Sequence, residues 1–159
     1  MTKADSGFRF SQRSLERLQG VHPDLVRVAH KALARSEVDF GVTEGRRSRE
    51  RQAELVASGA STTMNSRHLT GHAIDLVAYV GGSVSWDWPL YYKLADAMKS
   101  AAAEEGVDLE WGGAWGRDLQ DFENAHQASD DYTAERRGEG RRPFLDGPHF
   151  QLSWQEYPA

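Results

Sequence analysis

The sequence predicts an α+β fold built as one small domain, on the basis of its length and of two kinds of hydrophobic pattern. A chain of 159 residues suits a single hydrophobic core and is too short for a second sizeable one. Apolar side chains recur at helical spacing in residues 23–36 and 87–105, and shorter segments show the alternation of strands. No internal repeat or low-complexity tract interrupts these segments. We therefore expect one domain over residues 1–159.

The first part of the chain predicts two helices. One is expected over residues 11–19, and Pro23 at a first-turn position begins a second that runs to about Ser36. The apolar stripe of the second helix consists of Leu25, Val28, Ala29, Ala32 and Leu33. This spacing is typical of a scaffold helix that faces the core, and it leaves His30 on the solvent side.

A strand and a third helix follow. Residues 39–43 predict a short strand that leads through Gly45-Arg46-Arg47-Ser48 to a turn. The next helix is expected over about residues 49–58, and residues 59–65 predict a polar loop. An arginine at such a strand-to-helix turn can point into a cleft, although most arginines in a basic segment are solvated.

The segment after Gly71 predicts a strand with both faces substantially buried. Successive side chains of a strand point to opposite faces, so Asp75 shares a face with Ala73 and not with His72. Gly81-Gly82 then predicts a hairpin-like turn toward a further extended segment.

The second half of the chain continues with a long helix and two more strands. The helix is expected over residues 87–105 and stops at Gly106. A short strand follows at residues 108–111, and another is expected within residues 143–154. Residues 117–142 lack sustained periodicity, so we expect a long surface loop with one helical turn.

Composition excludes several classes of protein. The chain has no cysteine, so it forms no disulfide and no thiolate metal site, which leaves His, Asp and Glu as ligands. A net charge of −5 argues against a nucleic-acid-binding protein. No apolar run approaches the roughly 20 residues that cross a bilayer, which argues against a membrane protein. Residues 1–7 lack the apolar core of a secretory signal, so we expect the chain to stay in the cytoplasm where it is made until another component releases it.

A histidine and an aspartate form the first half of a candidate metal site. His68 and Asp75 lie seven positions apart, across a turn that leads into the predicted strand. Imidazole and carboxylate ligands together bind zinc well, and a third ligand would leave the fourth position open for water. The expected third ligand is His149, and Asp146 offers a carboxylate for the proton of that water. From spacing alone, a structural hydrogen-bonded pair is an equal alternative for His68 and Asp75.

These motifs resemble those of the zinc peptidases that cut peptidoglycan stem peptides. The shared motifs are S-x-H-x-x-G-x-A-x-D at residues 66–75, D-x-x-H at residues 146–149, Trp111-Gly112-Gly113 and Gly45-Arg46-Arg47. The family includes the VanY-type D-Ala-D-Ala carboxypeptidases and the L-alanyl-D-glutamate peptidases used as phage endolysins. Many relatives carry Glu where this chain has Asp146, and the endolysin-type members also use Asp there.

The resemblance implies a fold, a metal and a set of residue roles. The implied fold is a central antiparallel sheet that carries the zinc site, with helices packed on one side. The implied ligands of one zinc ion per chain are His68, Asp75 and His149. Asp146 would act as the general base, and Arg47 would stabilise the oxyanion that forms on the attacked carbonyl. The substrate would be held by Ser66, Trp111 and Trp115.

The resemblance further predicts a zinc-dependent phage endolysin that cleaves the L-Ala-D-Glu bond of stem peptides and causes host cell lysis. Such an enzyme would be a monomer without a separate wall-binding domain. It would wait in the host cytoplasm until a pore-forming phage holin gives it access to the wall.

Two alternatives to this function stay open. One is a D-Ala-D-Ala carboxypeptidase of the VanY type, and the other is a zinc-stabilised wall-binding module without hydrolysis. The presence of Asp146 argues against the second, since a purely structural site needs no base. A calcium site among the acidic residues of 117–142 is a weaker alternative to a solvated loop, because their spacing matches no EF-hand pattern.

Overall fold

The computed structural model describes residues 5–158, which form five α-helices and a five-stranded antiparallel sheet around a hydrophobic core. The helices are α1 (Gln12–Arg17), α2 (Pro23–Arg35), α3 (Arg49–Ala57), α4 (Trp88–Glu105) and α5 (Ala125–Gly138). The strands are β1 (Asp39–Glu44), β2 (Ala73–Val80), β3 (Ser83–Ser85), β4 (Leu109–Trp111) and β5 (His149–Leu152). Two short 3-10 turns are present at Arg67–Thr70 and Leu119–Asp121. Of the polar lead predicted at residues 1–7, residues 1–4 lie outside the described part.

The sheet is organised around β2. This strand pairs with β1 along one edge, and its other edge pairs with β5 near its beginning and with β3 near its end. β4 extends the sheet from β5, and every pairing is antiparallel. The predicted hairpin turn between β2 and β3 is present, with φ of 59° at Gly81 and 82° at Gly82. The predicted α+β fold class with an antiparallel sheet is confirmed.

The helices form as their patterns require. Pro23 lies in the first turn of α2, and the side chain of His22 caps the helix by accepting a hydrogen bond from the backbone N–H of Asp24. The predicted stripe of α2 is buried: Leu25, Val28, Ala29, Ala32 and Leu33. α4 ends where Gly106 adopts a left-handed φ of 67°. Within residues 5–158, no helix combines the length and apolar character that crossing a bilayer requires.

The two faces of the sheet have different surroundings. One face joins the same core cluster as the buried stripes of α2 and α4, through Ile74, Leu76, Ala78, Phe150 and Leu152. Because side chains alternate along a strand, Asp75 of β2 and both His149 and Gln151 of β5 point to the opposite face. The fold therefore separates a helix-covered apolar face from a polar face that can carry a site.

α5 corrects the prediction of a surface loop over residues 117–142. Residues Ala125–Gly138 form a 14-residue helix, and the side chain of Asn124 caps it by accepting a hydrogen bond from the backbone N–H of Gln127. A cap of this kind contributes about 1 kcal/mol. The helix contacts α4, and its buried residues lie at helical spacing: Ala125, Ala128, Ser129 and Tyr132. Alanine and serine give only a weak apolar signal, so the pattern did not stand out in the sequence.

Candidate active site

The register between β2 and β5 brings the predicted metal ligands together. Asp75 lies directly opposite His149 in the antiparallel pair, and His68 lies in the turn just before β2. Nε2 of His68 is 3.4 Å and Nδ1 of His149 is 3.2 Å from Oδ1 of Asp75. One ligand atom from each of these residues lies within 4.8 Å of the others, so the group could hold a metal ion.

The turn that carries His68 is shaped by its two ends. Ser66 caps the 3-10 turn by accepting a hydrogen bond from the backbone N–H of His68. Gly71 ends it in the left-handed conformation, with φ of 76°. A Cβ at Gly71 would lie 2.3 Å from the carbonyl oxygen of Gly20, so neither the backbone nor the space accommodates a side chain there. The glycine of the motif is therefore needed to return the chain into β2.

Hydrogen bonds fix which nitrogen of each histidine faces Asp75. Nδ1 of His68 lies 2.8 Å from the carbonyl oxygen of Gly45, which can only accept, so this nitrogen carries the proton. Nε2 of His149 lies 2.8 Å from Oε1 of Gln151 and donates to it in the same way. Both free nitrogens therefore point toward Asp75. Two neutral imidazoles and one carboxylate form a donor set that suits zinc, with each histidine oriented by a second partner.

The pKa values of the two carboxylates of the site, Asp75 and Asp146, are shifted in opposite directions. Burial favours a higher pKa for Asp75, but the hydrogen bonds that His149 and His68 donate to it when they are protonated outweigh burial and hold the pKa of Asp75 well below the usual range. Burial opposes a charged His149, whereas its hydrogen bond to Asp75 raises the pKa, and the net change is upward. Burial and the nearby charge of Asp75 raise the pKa of Asp146. Such a separation of pKa values suits a ligand carboxylate beside a proton acceptor.

The ligand group opens into a cleft with a volume of about 600 Å³. Its lining includes the loop at residues 59–63, the acidic residues Glu44 and Glu110, and the aromatic residues Trp115, Phe144 and Trp154. The ring of Trp115 lies 4.8 Å from the ring of His149, measured between centroids. A peptide in this cleft would therefore meet apolar rings and charged groups beside the ligands.

Arg47 lies in the same cleft and is held at several points. Its side chain is 8% exposed, and its Nε donates to Oε1 of Glu44 at 2.7 Å. Its Nη1 donates to Oε1 of Gln52 at 2.7 Å, and its Nη2 lies 3.9 Å from Oδ2 of Asp75. Its backbone N–H donates to the carbonyl oxygen of His68. The guanidinium is thus fixed close to the ligand group, whereas the neighbouring Arg46 is exposed.

Asp146 reaches the cleft because its backbone is paired with Gly112. The N–H of Asp146 donates to the carbonyl oxygen of Gly112, and the N–H of Gly112 donates to the carbonyl oxygen of His149, both at 2.8 Å. A Cβ at Gly112 would lie 2.1 Å from the carbonyl oxygen of Asp146. Glycine therefore lets the two backbones approach closely beside the site.

Comparison with protein families finds a match over most of the chain. The model of the phage L-alanyl-D-glutamate peptidase family matches residues 6–153, a range that contains the ligand group, Arg47 and Asp146. The chain belongs to the phage L-alanyl-D-glutamate peptidase family. The predicted family is thereby confirmed.

Individual members of the phage L-alanyl-D-glutamate peptidase family are similar over most of the chain. An L-alanyl-D-glutamate peptidase of Escherichia phage T5 is 32% identical over 149 residues, which cover 91% of this chain and 98% of that protein. An L-alanyl-D-glutamate peptidase of Listeria phage A118 is 29% identical over 151 residues, which cover 93% of this chain and 43% of that protein. Among solved structures, the Serratia marcescens L-Ala D-Glu endopeptidase ChiX is 45% identical with a TM-score of 0.76, and the match covers 97% of this chain and 96% of that one.

Most residues predicted from the sequence meet at the cleft of this family member. Its lining contains seven of the eight predicted site residues: Arg47, Ser66, His68, Asp75, Trp115, Asp146 and His149. Ser66 also has the structural task of capping the turn before β2. Three other histidines lie elsewhere: His30 and His126 are exposed, and the ring of His72 is directed to Thr70.

Trp111 corrects one of the predicted substrate contacts. Its side chain is fully buried in the core, and its Nε1 donates to the carbonyl oxygen of Gly147 at 2.8 Å. Alternation along β4 explains this position, because Trp111 shares a face with the buried Leu109 while Glu110 points to the cleft. Trp111 therefore supports the cleft from behind and does not line it.

The sequence alone assigned no role to several residues that shape the site. Gln151 stands two positions after His149 on the same face of β5, so strand alternation predicts that the two side chains lie together. Glu44 and Gln52 hold Arg47, at distances of three and five positions from it. Phe144 and Trp154 line the cleft with exposed fractions of 63% and 43%, and both lie outside β5 in segments without regular secondary structure.

Proposed function

We propose that this chain is a zinc-dependent peptidoglycan endopeptidase that cleaves the L-Ala-D-Glu bond of stem peptides. The observation that carries this proposal is the convergence of His68, Asp75 and His149 in a cleft that also holds Arg47 and Asp146. Three ligands beside an open cleft are typical of catalytic zinc sites, whereas structural sites are closed by a fourth protein ligand.

The metal supplies one part of the chemistry. Zinc at this site would lower the pKa of water from about 15.7 toward about 7, which makes a nucleophile available at neutral pH. The donor set on which this rests is two oriented imidazole nitrogens and one ionised carboxylate.

The other residues of the cleft supply proton transfer and charge stabilisation. Asp146 accepts the proton of the attacking water and passes it to the leaving amine, and its raised pKa makes it a better proton acceptor than an ordinary aspartate. Arg47 donates to the carbonyl oxygen of the attacked peptide bond as negative charge develops there. Its bonds to Glu44 and Gln52 hold the guanidinium in place before the substrate arrives.

The choice of bond rests on the relatives. The proteins of phage T5 and Listeria phage A118 are both named L-alanyl-D-glutamate peptidases, and the Serratia protein is an L-Ala D-Glu endopeptidase. Ser66 and Trp115 are proposed to contact the stem peptide, since both line the cleft. A D-Ala-D-Ala carboxypeptidase is the alternative within the same chemistry.

We further propose how the enzyme works in its biological setting. It acts as a monomer and as one catalytic domain on the wall of the host bacterium, after a phage holin has opened the way from the cytoplasm. Lysis of the host then follows from cutting of the stem peptides.

Digestion of purified muropeptides with mass analysis of the products tests the function directly. Cleavage of the L-Ala-D-Glu bond leaves muramic acid with a free L-alanine carboxylate and releases a peptide that begins with D-glutamate. The reaction should stop when a chelator removes the metal and resume when zinc is added. Release of free D-alanine would favour the carboxypeptidase, and undiminished cleavage by the metal-free protein would contradict the zinc mechanism.

A further inference from the structure

Gln52 of α3 connects Arg47 with the wall of the cleft. Its Oε1 accepts from Nη1 of Arg47 at 2.7 Å. Its Nε2 donates to Oγ of Ser61 at 2.9 Å and to the carbonyl oxygen of Thr63 at 2.6 Å. Ser61 and Thr63 both line the cleft, in the loop that precedes the metal-ligand turn. One side chain thus joins an arginine beside the ligands to the surface that a substrate would touch.

The chemistry of the two ends requires an amide at this position. Arg47 has only donors to offer, so its partner must accept a hydrogen bond, whereas the Thr63 carbonyl only accepts, so its partner must donate. Glutamate would keep the acceptor for Arg47 but would have no donor for the loop. Leucine could form neither hydrogen bond. The orientation of the amide is therefore fixed by its partners.

The burial of Gln52 points to a purpose other than core packing. It is the buried residue of α3, and its side chain is completely inaccessible to solvent. A leucine would build an apolar contact without the cost of removing an amide from water, a cost that hydrogen bonds at both ends must offset. A helix that buries a glutamine in this way is arranged around the polar network and not around an apolar stripe.

Arg47 depends on this network for its position. Glu44 holds Nε, and Gln52 holds Nη1, so two neighbouring edges of the planar guanidinium are fixed while Nη2 stays nearest to Asp75. With only Glu44 left, the side chain could rotate about a single hydrogen-bonded edge. A displacement of about 1 Å at a reacting centre can lower the rate by roughly 10²-fold.

We infer that Gln52 is a positioning residue of the reaction, which holds Arg47 at the attacked carbonyl and ties that arginine to the loop at residues 61–63. This inference rests on the proposed function, because it assigns Gln52 a task through Arg47. The arginine end of Gln52 governs kcat, since Arg47 acts in the transition state. The loop end governs KM, since residues 61–63 form part of the surface that receives the peptide.

Two variants of Gln52 separate the two ends, with kcat, KM, bound zinc and thermal stability measured on purified muropeptides. Gln52→Leu removes both ends and should lower kcat by roughly 10-fold or more with normal zinc content. Gln52→Glu keeps an acceptor for Arg47, so kcat should largely be restored, while the lost donors to the loop should raise KM. Glu54→Gln is the matched control, because Glu54 lies on the same helix with a side chain 70% exposed, and it should leave kcat and KM unchanged.

A double-mutant cycle with Arg47 then decides the route of the effect. If Gln52 acts through Arg47, adding Gln52→Leu to Arg47→Ala should lower kcat no further. Additive losses would overturn the inference, and so would Gln52 variants that lose thermal stability while kcat and KM stay normal. Should Gln52→Leu fail to fold, Gln52→Glu decides alone, and a loss of kcat with unchanged KM would contradict the inference.

The same cycle distinguishes failure of the inference from failure of the proposed function. Normal kcat in Arg47→Ala would remove the oxyanion role of Arg47 itself. A low kcat in Arg47→Ala together with a normal kcat in Gln52→Leu would leave the oxyanion role of Arg47 intact and would reject only the positioning role of Gln52.

Discussion

Gln151 accepts a hydrogen bond from Nε2 of His149 at 2.8 Å, and His149 thereby presents its Nδ1 to Asp75. The two side chains stand two positions apart on one face of β5, so a single strand supplies both the ligand and the partner that orients it. Replacement of such outer partners typically lowers metal affinity by roughly 10- to 100-fold. Gln151→Leu should therefore weaken zinc binding within that range, as measured by competition with a chromogenic chelator.

The ligand variants and three other histidines provide the reference points for that measurement. The wild-type chain should bind about one zinc ion, and metal and activity should be lost together in His68→Ala, Asp75→Ala and His149→Ala. Both should be kept in the control variants His30→Ala, His72→Ala and His126→Ala. Full zinc retention in His149→Ala would show that the wrong histidine has been assigned to the metal.

Asp146→Asn separates proton transfer from metal binding. The ligand group is complete without Asp146, so the variant should keep its zinc. Loss of the proton acceptor should lower kcat by roughly 10²-fold or more. Steady-state kinetics and metal analysis on the same preparation check both statements.

Asp130→Asn is a suitable control for that substitution. Asp130 is on α5 with a side chain 69% exposed, so the same chemical change there should leave kcat as it is. An Asp146→Asn enzyme with normal turnover would remove the general base from the mechanism.

Arg47 and Arg46 form an internal comparison at the turn after β1. The side chain of Arg47 is buried beside Asp75, whereas Arg46 is exposed. Arg47→Ala should lower kcat and kcat/KM together, by about 3 kcal/mol of transition-state stabilisation. Arg47→Lys should restore part of it, because an ammonium cannot reproduce the planar fork that bonds Glu44 and Gln52.

Arg46→Ala and Arg49→Ala are the matching controls, since both side chains are exposed. Their kcat values should stay close to that of the wild type. A large loss of kcat in Arg46→Ala with a mild effect in Arg47→Ala would contradict the assignment, because it would give the oxyanion role to Arg46 instead of Arg47.

The metal ligands could be predicted because their signals are local and chemical. His68 and Asp75 belong to one spaced motif, and alternation along β2 separates Asp75 from His72, a separation that the structure reproduces. The strands and the helices with strong apolar stripes were predictable for the same reason. Two predictions were wrong. The apolar pattern of α5 was too weak to indicate a helix, and Trp111 was assigned to the substrate although the alternation along β4 places it in the core.

Two residues show the limits of the sequence patterns. Tyr132 is the single large side chain on the buried face of α5. Because the other buried residues of this helix are small, the sequence showed no clear apolar stripe there. Trp111 stands beside two glycines and attracts a functional interpretation, but its alternation with Glu110 and Leu109 places it in the core. The role of Gln52 was not predictable, because its three partners, Arg47, Ser61 and Thr63, all lie outside α3.

The close contact between Gly112 and Asp146 yields a prediction about the geometry of the whole site. A Cβ at position 112 would lie 2.1 Å from the carbonyl oxygen of Asp146 and 3.0 Å from its Cβ, so the backbone at residues 146–149 would have to move away. That segment carries both Asp146 and His149, and two backbone hydrogen bonds now hold it to Gly112. Gly112→Ala should therefore weaken zinc binding and lower kcat together, with a loss of stability of about 1–3 kcal/mol.

Gly138→Ala on α5 is the control: no atom lies within 4 Å of its added Cβ, and alanine favours a helix over glycine by about 1 kcal/mol. Metal titration, kinetics and thermal unfolding of the two variants test this argument, and a Gly112→Ala enzyme with normal zinc affinity and kcat would show that the segment tolerates displacement.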